Sequence, residues 1–164
     1  MSFTVTPIEI KKKREFYDIL YLQVKALIEG EEDMIANLAN ISALLYEQMD
    51  DINWVGFYLV KQGELVLGPF QGKVACVRIP IGEGVCGTAV FQNKTQLVAD
   101  VHKFPGHIAC DHASNSEIVI PIQYNNQVVG VLDIDSPRKV RFDSEDQAGL
   151  EKIVKGIEKI FDVI

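Results

Sequence analysis

No stretch of this sequence approaches the roughly twenty consecutive apolar residues that a bilayer-spanning helix requires. Its opening residues, MSFTVTPIEIKKKREF, also lack the apolar segment and small-residue cleavage site of a secretion signal. Neither a membrane span nor export is expected, and the chain is read as cytoplasmic. Basic charge is scarce: 16 Lys and Arg stand against 23 Asp and Glu, a formal net charge of −7. A phosphate backbone is bound through a basic surface, so no nucleic-acid partner is expected. The one basic run, Lys11-Lys12-Lys13-Arg14, starts a predicted helix and reads as a solvated face. Cysteine is scarce too, at 3 residues without a secretion signal, which excludes a disulfide scaffold. The C-x-x-C and H-x-x-x-H spacings of a zinc motif are absent. His107, Cys110, Asp111 and His112 are ligand types without that spacing, so no metal is expected and the histidines read as surface or supporting groups.

Apolar residues are plentiful, at 48% of 164, enough for one domain over residues 1–164 with a core that needs no staples. From Glu9 to Glu29, Phe16, Leu20, Val24, Leu27 and Ile28 recur at helical steps and Gly30 supplies a stop; from Asp33 to Met49, Met34, Leu38, Ile41, Leu45 and Met49 form a second stripe. The alternation over Asn53 to Val60 predicts a strand with Trp54, Gly56, Tyr58 and Val60 on one face, a notch where a small ligand could lie against two rings. Short strands follow at Leu65–Leu67 and Val74–Ile79, separated by a break at Gly68-Pro69. A closing helix capped by Asp143 or Ser144 presents Leu150, Ile153, Val154, Ile157, Phe161 and Ile164.

Gly82-Glu83-Gly84-Val85-Cys86-Gly87 matches a dinucleotide fingerprint on paper. It comes midway through the chain, among short strands, where that fingerprint belongs in the first of several strand-helix-strand units. It therefore reads as a tight turn into a helix over Val85–Asn93, and no cofactor is expected. Cys86 near that helix start would have its thiolate favoured by the helix dipole. A strand at Leu97–Val101 leads into an irregular stretch, His102 to Ser116, of the kind that presents reactive groups. Beyond it, Ile118–Ile122 and Val128–Asp135 form a hairpin around Tyr124-Asn125-Asn126-Gln127. Val129, Val131, Asp133 and Asp135 are expected on one face, an apolar row ending in two carboxylates.

The order of elements implies an α+β layer, a mostly antiparallel sheet with N- and C-terminal helices on one face and a loop and helix inserted over the other. The segments NWVGFYL, PIGEGVCGTA, LVADV, SEIVIPI, VVGVLDIDS and RFDSED resemble a GAF domain over nearly the whole chain. Cys76, Cys86 and Cys110 at these intervals, with GHIACDHASNSEIVIPI and LDIDS, are similar to the free methionine-R-sulfoxide reductases. That resemblance implies attack by Cys110 on the sulfoxide sulfur, Cys76 as resolving thiol with Cys86 as alternative or recycling thiol, and thioredoxin as reductant. It further implies Glu117 and Asp135 at the sulfoxide oxygen, Asp133 at the substrate ammonium, Trp54 and Tyr58 around the S-methyl end, and a homodimer. A non-catalytic GAF sensor is the competing reading, and it leaves three thiols with no role beyond packing.

Overall fold

The structure is a computed structural model that describes residues 3–163; the Ile164 end of the expected stripe and Met1-Ser2 lie outside them. Helices α1 (Lys13–Ile28) and α2 (Met34–Gln48) come first. The first begins later than expected: residues 9–11 have no regular structure and Lys12 is extended, and just before them the Ile8 N–H is taken by Gln48 Oε1 at 3.1 Å. Asp33 caps α2 by accepting from the Ala36 N–H at 2.8 Å. Strands β1 (Trp54–Lys61), β2 (Glu64–Gln71) and β3 (Arg78–Pro80) follow, then α3 (Gly84–Gln92), β4 (Gln96–Val98), β5 (Ser116–Tyr124), β6 (Gln127–Ser136) and α4 (Ser144–Gly156). The strands form one antiparallel sheet in the order β3-β2-β1-β6-β5-β4.

The sheet separates two apolar clusters. On one face Val55, Phe57, Leu59, Ile118, Ile120, Leu132 and Ile134 pack against Leu20, Val24, Leu38, Ile41, Leu45, Leu150, Ile153 and Phe161 of the terminal helices. On the other, Trp54, Tyr58, Val119 and Val131 pack against Val85, Cys86 and Ala89 of α3. A buried polar staple joins α1 to α4: Asp146, 1% exposed, accepts from Tyr17 Oη at 2.7 Å, Lys13 Nζ at 2.6 Å and Arg141 Nη1 at 3.3 Å. Of the basic run, only Lys13 is partly buried; its neighbours are exposed, as expected. Asp143, not Ser144, caps α4, in a reciprocal box with Asp146.

Four local expectations are corrected. Gly68-Pro69 does not end a strand: Gly56 pairs with Phe70 and Tyr58 with Leu67, so β2 carries one extra residue there, a bulge that tolerates a proline lacking its N–H. Residues 74–77 are irregular rather than strand, because side chains of β1 claim carbonyls in this segment: Trp54 Nε1 donates to Lys73 O (3.1 Å) and Tyr58 Oη to Cys76 O (2.9 Å). The strand expected over Leu97–Val101 stops at Val98, since Asp100 accepts from the His102 N–H (3.0 Å) and starts a 3-10 turn, Val101–Lys103. Val129 joins the helix-side cluster while Val131 joins the other, because Ile122 pairs with Gly130 but Gln123 with Val128, leaving Val129 as the bulged residue.

Candidate active site

Register alone assembles the floor of the site. Residues directly opposite in an antiparallel sheet share a face, and that face repeats every second residue. Glu117 of β5 lies opposite Asp135 of β6, which lies opposite Trp54 of β1. The next rung on that face is Val119–Asp133–Gly56, and the one after is Pro121–Val131–Tyr58. Three carboxylates and two aromatic rings therefore converge on the α3 side of the sheet, with Glu117 and Asp133 each only 6% exposed. The expected notch at Gly56 is filled: a Cβ there would meet the backbone and Cβ of Phe70. The Phe70 ring stacks on Trp54 at 5.1 Å, and Trp54 stacks on Tyr58 at 5.9 Å.

Two loops make the roof. Cys76 and Cys110 are joined in a disulfide with Cα atoms 5.5 Å apart. Tyr58 and Trp54 hold the Cys76 segment through the two carbonyl contacts described above. The Cys110 loop is held by Asn53, whose Nδ2 donates to Asp111 Oδ2 (3.0 Å) and Ser114 Oγ (3.1 Å), while Asp111 Oδ1 accepts from the Ala113 N–H (2.9 Å). At one wall, Gly84 has φ +63° and packs against Ile108, and a Cβ on Gly87 would strike Pro80 O. The glycines thus serve a close turn, as the sequence context indicated. The cavity, partly open to solvent, is about 40 Å³ and its lining includes Trp54, Tyr58, Cys86, Cys110, Glu117, Asp133 and Asp135. That is room for a few water-sized groups.

Electrostatics in this space follow from burial and from like charges held together. Burial first, then the charges of Asp133 and Asp135, push Glu117 well above the usual carboxylate range. Asp135 is pushed well up by burial and by Asp133 and Asp111. Burial also raises Asp133, opposed by hydrogen bonds from a protonated Glu117 and the Cys86 thiol. Three such groups held together do not all ionise, and the trio shares its protons as a coupled set. Asp133 Oδ1 is enclosed with no N–H or O–H partner. Cys86 corrects the sequence reading: burial and the three carboxylates raise its thiol well above the ordinary value, outweighing any helix-dipole effect. His107 Nε2 is 3.9 Å from Glu117 Oε2, and burial, then the charge of His102, lowers the pKa of the ring.

Of the residues singled out from the sequence, Trp54, Tyr58, Cys86, Cys110, Glu117, Asp133 and Asp135 line this cavity and Cys76 is bonded to it through Cys110, whereas His112 is not among the lining residues. The ones missed are the supports: Asn53, Ser114, Phe70 and Ile108. They carry no reactive group, and only their contacts reveal them. Among the described residues, the His, Cys, Asp and Glu side chains close enough together to hold a metal ion are Cys86, Glu117 and Asp133, not the four-residue loop set weighed from the sequence.

The GAF domain family matches residues 35–162. Free methionine-R-sulfoxide reductase (fRMsr) of Escherichia coli is 60% identical over 90% of this chain and 90% of that protein. This chain belongs to the free methionine-R-sulfoxide reductases, within the GAF domain family. The fRMsr of Saccharomyces cerevisiae is 46% identical, covering 90% of this chain and 86% of that protein. Among solved structures, fRMsr of Staphylococcus aureus in its reduced form aligns with TM-score 0.86 and 57% identity over 97% of this chain and 99% of that one. The Neisseria meningitidis enzyme in complex with its substrate aligns with TM-score 0.93 and 42% identity over 98% of this chain and 96% of that one.

Proposed function

We propose that this fRMsr-family chain reduces free methionine-R-sulfoxide to methionine, with Cys110 as nucleophile and Cys76 as resolving thiol. The observation that carries this reading is a cysteine pair bonded across the mouth of a cavity whose floor is three carboxylates, Glu117 and Asp133 buried and Asp135 half-buried. A sulfoxide sulfur is a poor electrophile until its oxygen is protonated. Glu117 or Asp135, held protonated, supplies that proton while the Cys110 thiolate attacks sulfur. Oxygen then passes from the methionine sulfur to Cys110 Sγ as the S–O bond and the newly formed Sγ–S bond break, free methionine leaves with the electron pair on its sulfur, and Cys110 is left as a sulfenic acid. Cys76 then attacks the sulfenic sulfur, water departs, and the disulfide forms. A thioredoxin dithiol reduces that disulfide by exchange and is itself oxidised.

Asp133, whose enclosed Oδ1 lacks a donor, receives the substrate ammonium. Methionine inside a peptide has no ammonium, which accounts for a preference for the free amino acid. Trp54 and Tyr58 flank the S-methyl end, where ring contacts with sulfur are favourable. Cys86 is unpaired, and its raised pKa keeps it a neutral thiol, which supports Cys76 as the resolving residue. An amino acid exceeds the closed cavity, so substrate enters after reduction has released the two loops. A sensor would bind without electron transfer. The test supplies free methionine-R-sulfoxide, thioredoxin, its reductase and NADPH, and follows NADPH oxidation. Cys110→Ser is expected to abolish turnover; wild-type protein no faster than that variant contradicts the reading.

A further inference from the structure

Cys86 has no part in the turnover just described, yet it lines the same cavity. One ligating atom each from Cys86, Glu117 and Asp133 lie within 4.8 Å of one another, and all three residues are buried. Asp133 Oδ1, on a residue 6% exposed, has no hydrogen-bond partner. A buried carboxylate oxygen left without a donor is an acceptor in want of a cation. An ammonium answers that need through hydrogen bonds alone, whereas Cys86 as a thiolate adds a soft sulfur donor that suits a metal ion.

We infer that Cys86, Glu117 and Asp133 form a binding site for a thiophilic divalent cation such as Zn²⁺. One thiolate and two carboxylate oxygens suit zinc or cadmium; magnesium and calcium take all-oxygen shells. Tetrahedral zinc with ordinary Zn–S and Zn–O bonds holds its ligand atoms about 3.5 Å apart, so the trio closes by roughly an ångström on binding. Binding releases the Cys86 and Glu117 protons to solvent. Three protein ligands leave one position for water, and Asp135 stands beside it on the next rung. Resting on the proposed function, a further consequence is that the ion takes the ammonium's place and inhibits turnover competitively.

The test uses the metal alone on protein in its disulfide form, where Cys86 is the one free thiol of a chain with 3 cysteines. Titration with Co²⁺ is expected to produce a thiolate-to-cobalt charge-transfer band in the near ultraviolet, displaced by Zn²⁺ and absent in Cys86→Ser. Asp133→Asn and Glu117→Gln are expected to weaken Zn²⁺ binding, read by calorimetry, at least tenfold. No thiolate band, a band that persists in Cys86→Ser, or unchanged affinity in both carboxylate variants overturns the inference. No sulfoxide enters the titration, so the site stands or falls separately from the reductase reading. Competition is tested on reduced Cys110→Ser protein, which binds free methionine sulfoxide without turning it over, and zinc affinity unmoved by the sulfoxide removes the inhibitory consequence.

Discussion

Replacing Tyr58 with Phe deletes a single oxygen, the one that donates to the Cys76 carbonyl at 2.9 Å, and leaves the ring free to stack on Trp54. A hydrogen bond of that kind contributes about 0.5–1.5 kcal/mol. The Cys76 loop then samples wider positions, and the Cys110 sulfenic acid is expected to condense with Cys76 about 2- to 10-fold more slowly. Chemical trapping of sulfenic acid during a single turnover checks this; an unchanged condensation rate contradicts the positioning role. The carboxylates make a second prediction at this scale. Asp135 has a folded-state pKa raised by burial, so the folded state holds its proton more tightly than the unfolded chain does. Its contribution is fully present below the unfolded value of about 4 and is lost as pH rises through the folded value. Asp135→Asn is therefore expected to stabilise the protein at alkaline pH by about 1–3 kcal/mol, with little change in acid and with activity reduced. Thermal melts at two pH values read this, and equal destabilisation at both contradicts it.

Among the elements, the pairing of α1 with α4 turns on Asp146. Removing its carboxylate leaves Arg141 buried without its partner and the Tyr17 hydroxyl without an acceptor. Asp146→Ala is expected to cost about 3–5 kcal/mol, read as a lowered denaturation midpoint; a shift below 1 kcal/mol contradicts the staple. Neighbouring Asp143 gives the same junction an acid limit. Partial burial acts to raise its pKa, but the Lys13 ammonium and the N–H groups of Glu145 and Asp146 outweigh that and hold it at about 2. Its stabilising contribution is present above the unfolded value of about 4 and is lost as pH falls through about 2. Helices and strands with a sustained period were legible in the sequence: the stripe from Leu20 to Val24, the alternation from Trp54 to Val60, and the Asn125-Asn126 turn, whose φ values of 51° and 60° are those an asparagine pair accepts. What periodicity missed were interruptions set by partners far along the chain. The bulges at Pro69 and Val129 depend on the neighbouring strand, and the irregular Cys76 segment depends on Trp54 and Tyr58.

For the molecule as a whole, the sheet divides labour between its faces. Helix-side residues such as Ile118 and Leu132 hold the fold, while the carboxylates one residue away on the same strands, Glu117 and Asp133, face the chemistry. This division was partly readable, since Asp133 and Asp135 broke an apolar pattern without a packing reason. The pairing of Cys76 with Cys110 was not readable from spacing, because it joins two irregular loops 34 residues apart. The central claim concerns that pair, and it is tested by one equivalent of free methionine-R-sulfoxide added to fully reduced protein without a reductant. After quenching and alkylation, peptide mass spectrometry should find one methionine released per chain, Cys76 bonded to Cys110, and Cys86 alkylated. A Cys86–Cys110 bond, or methionine released with all three thiols still alkylated, would contradict the account.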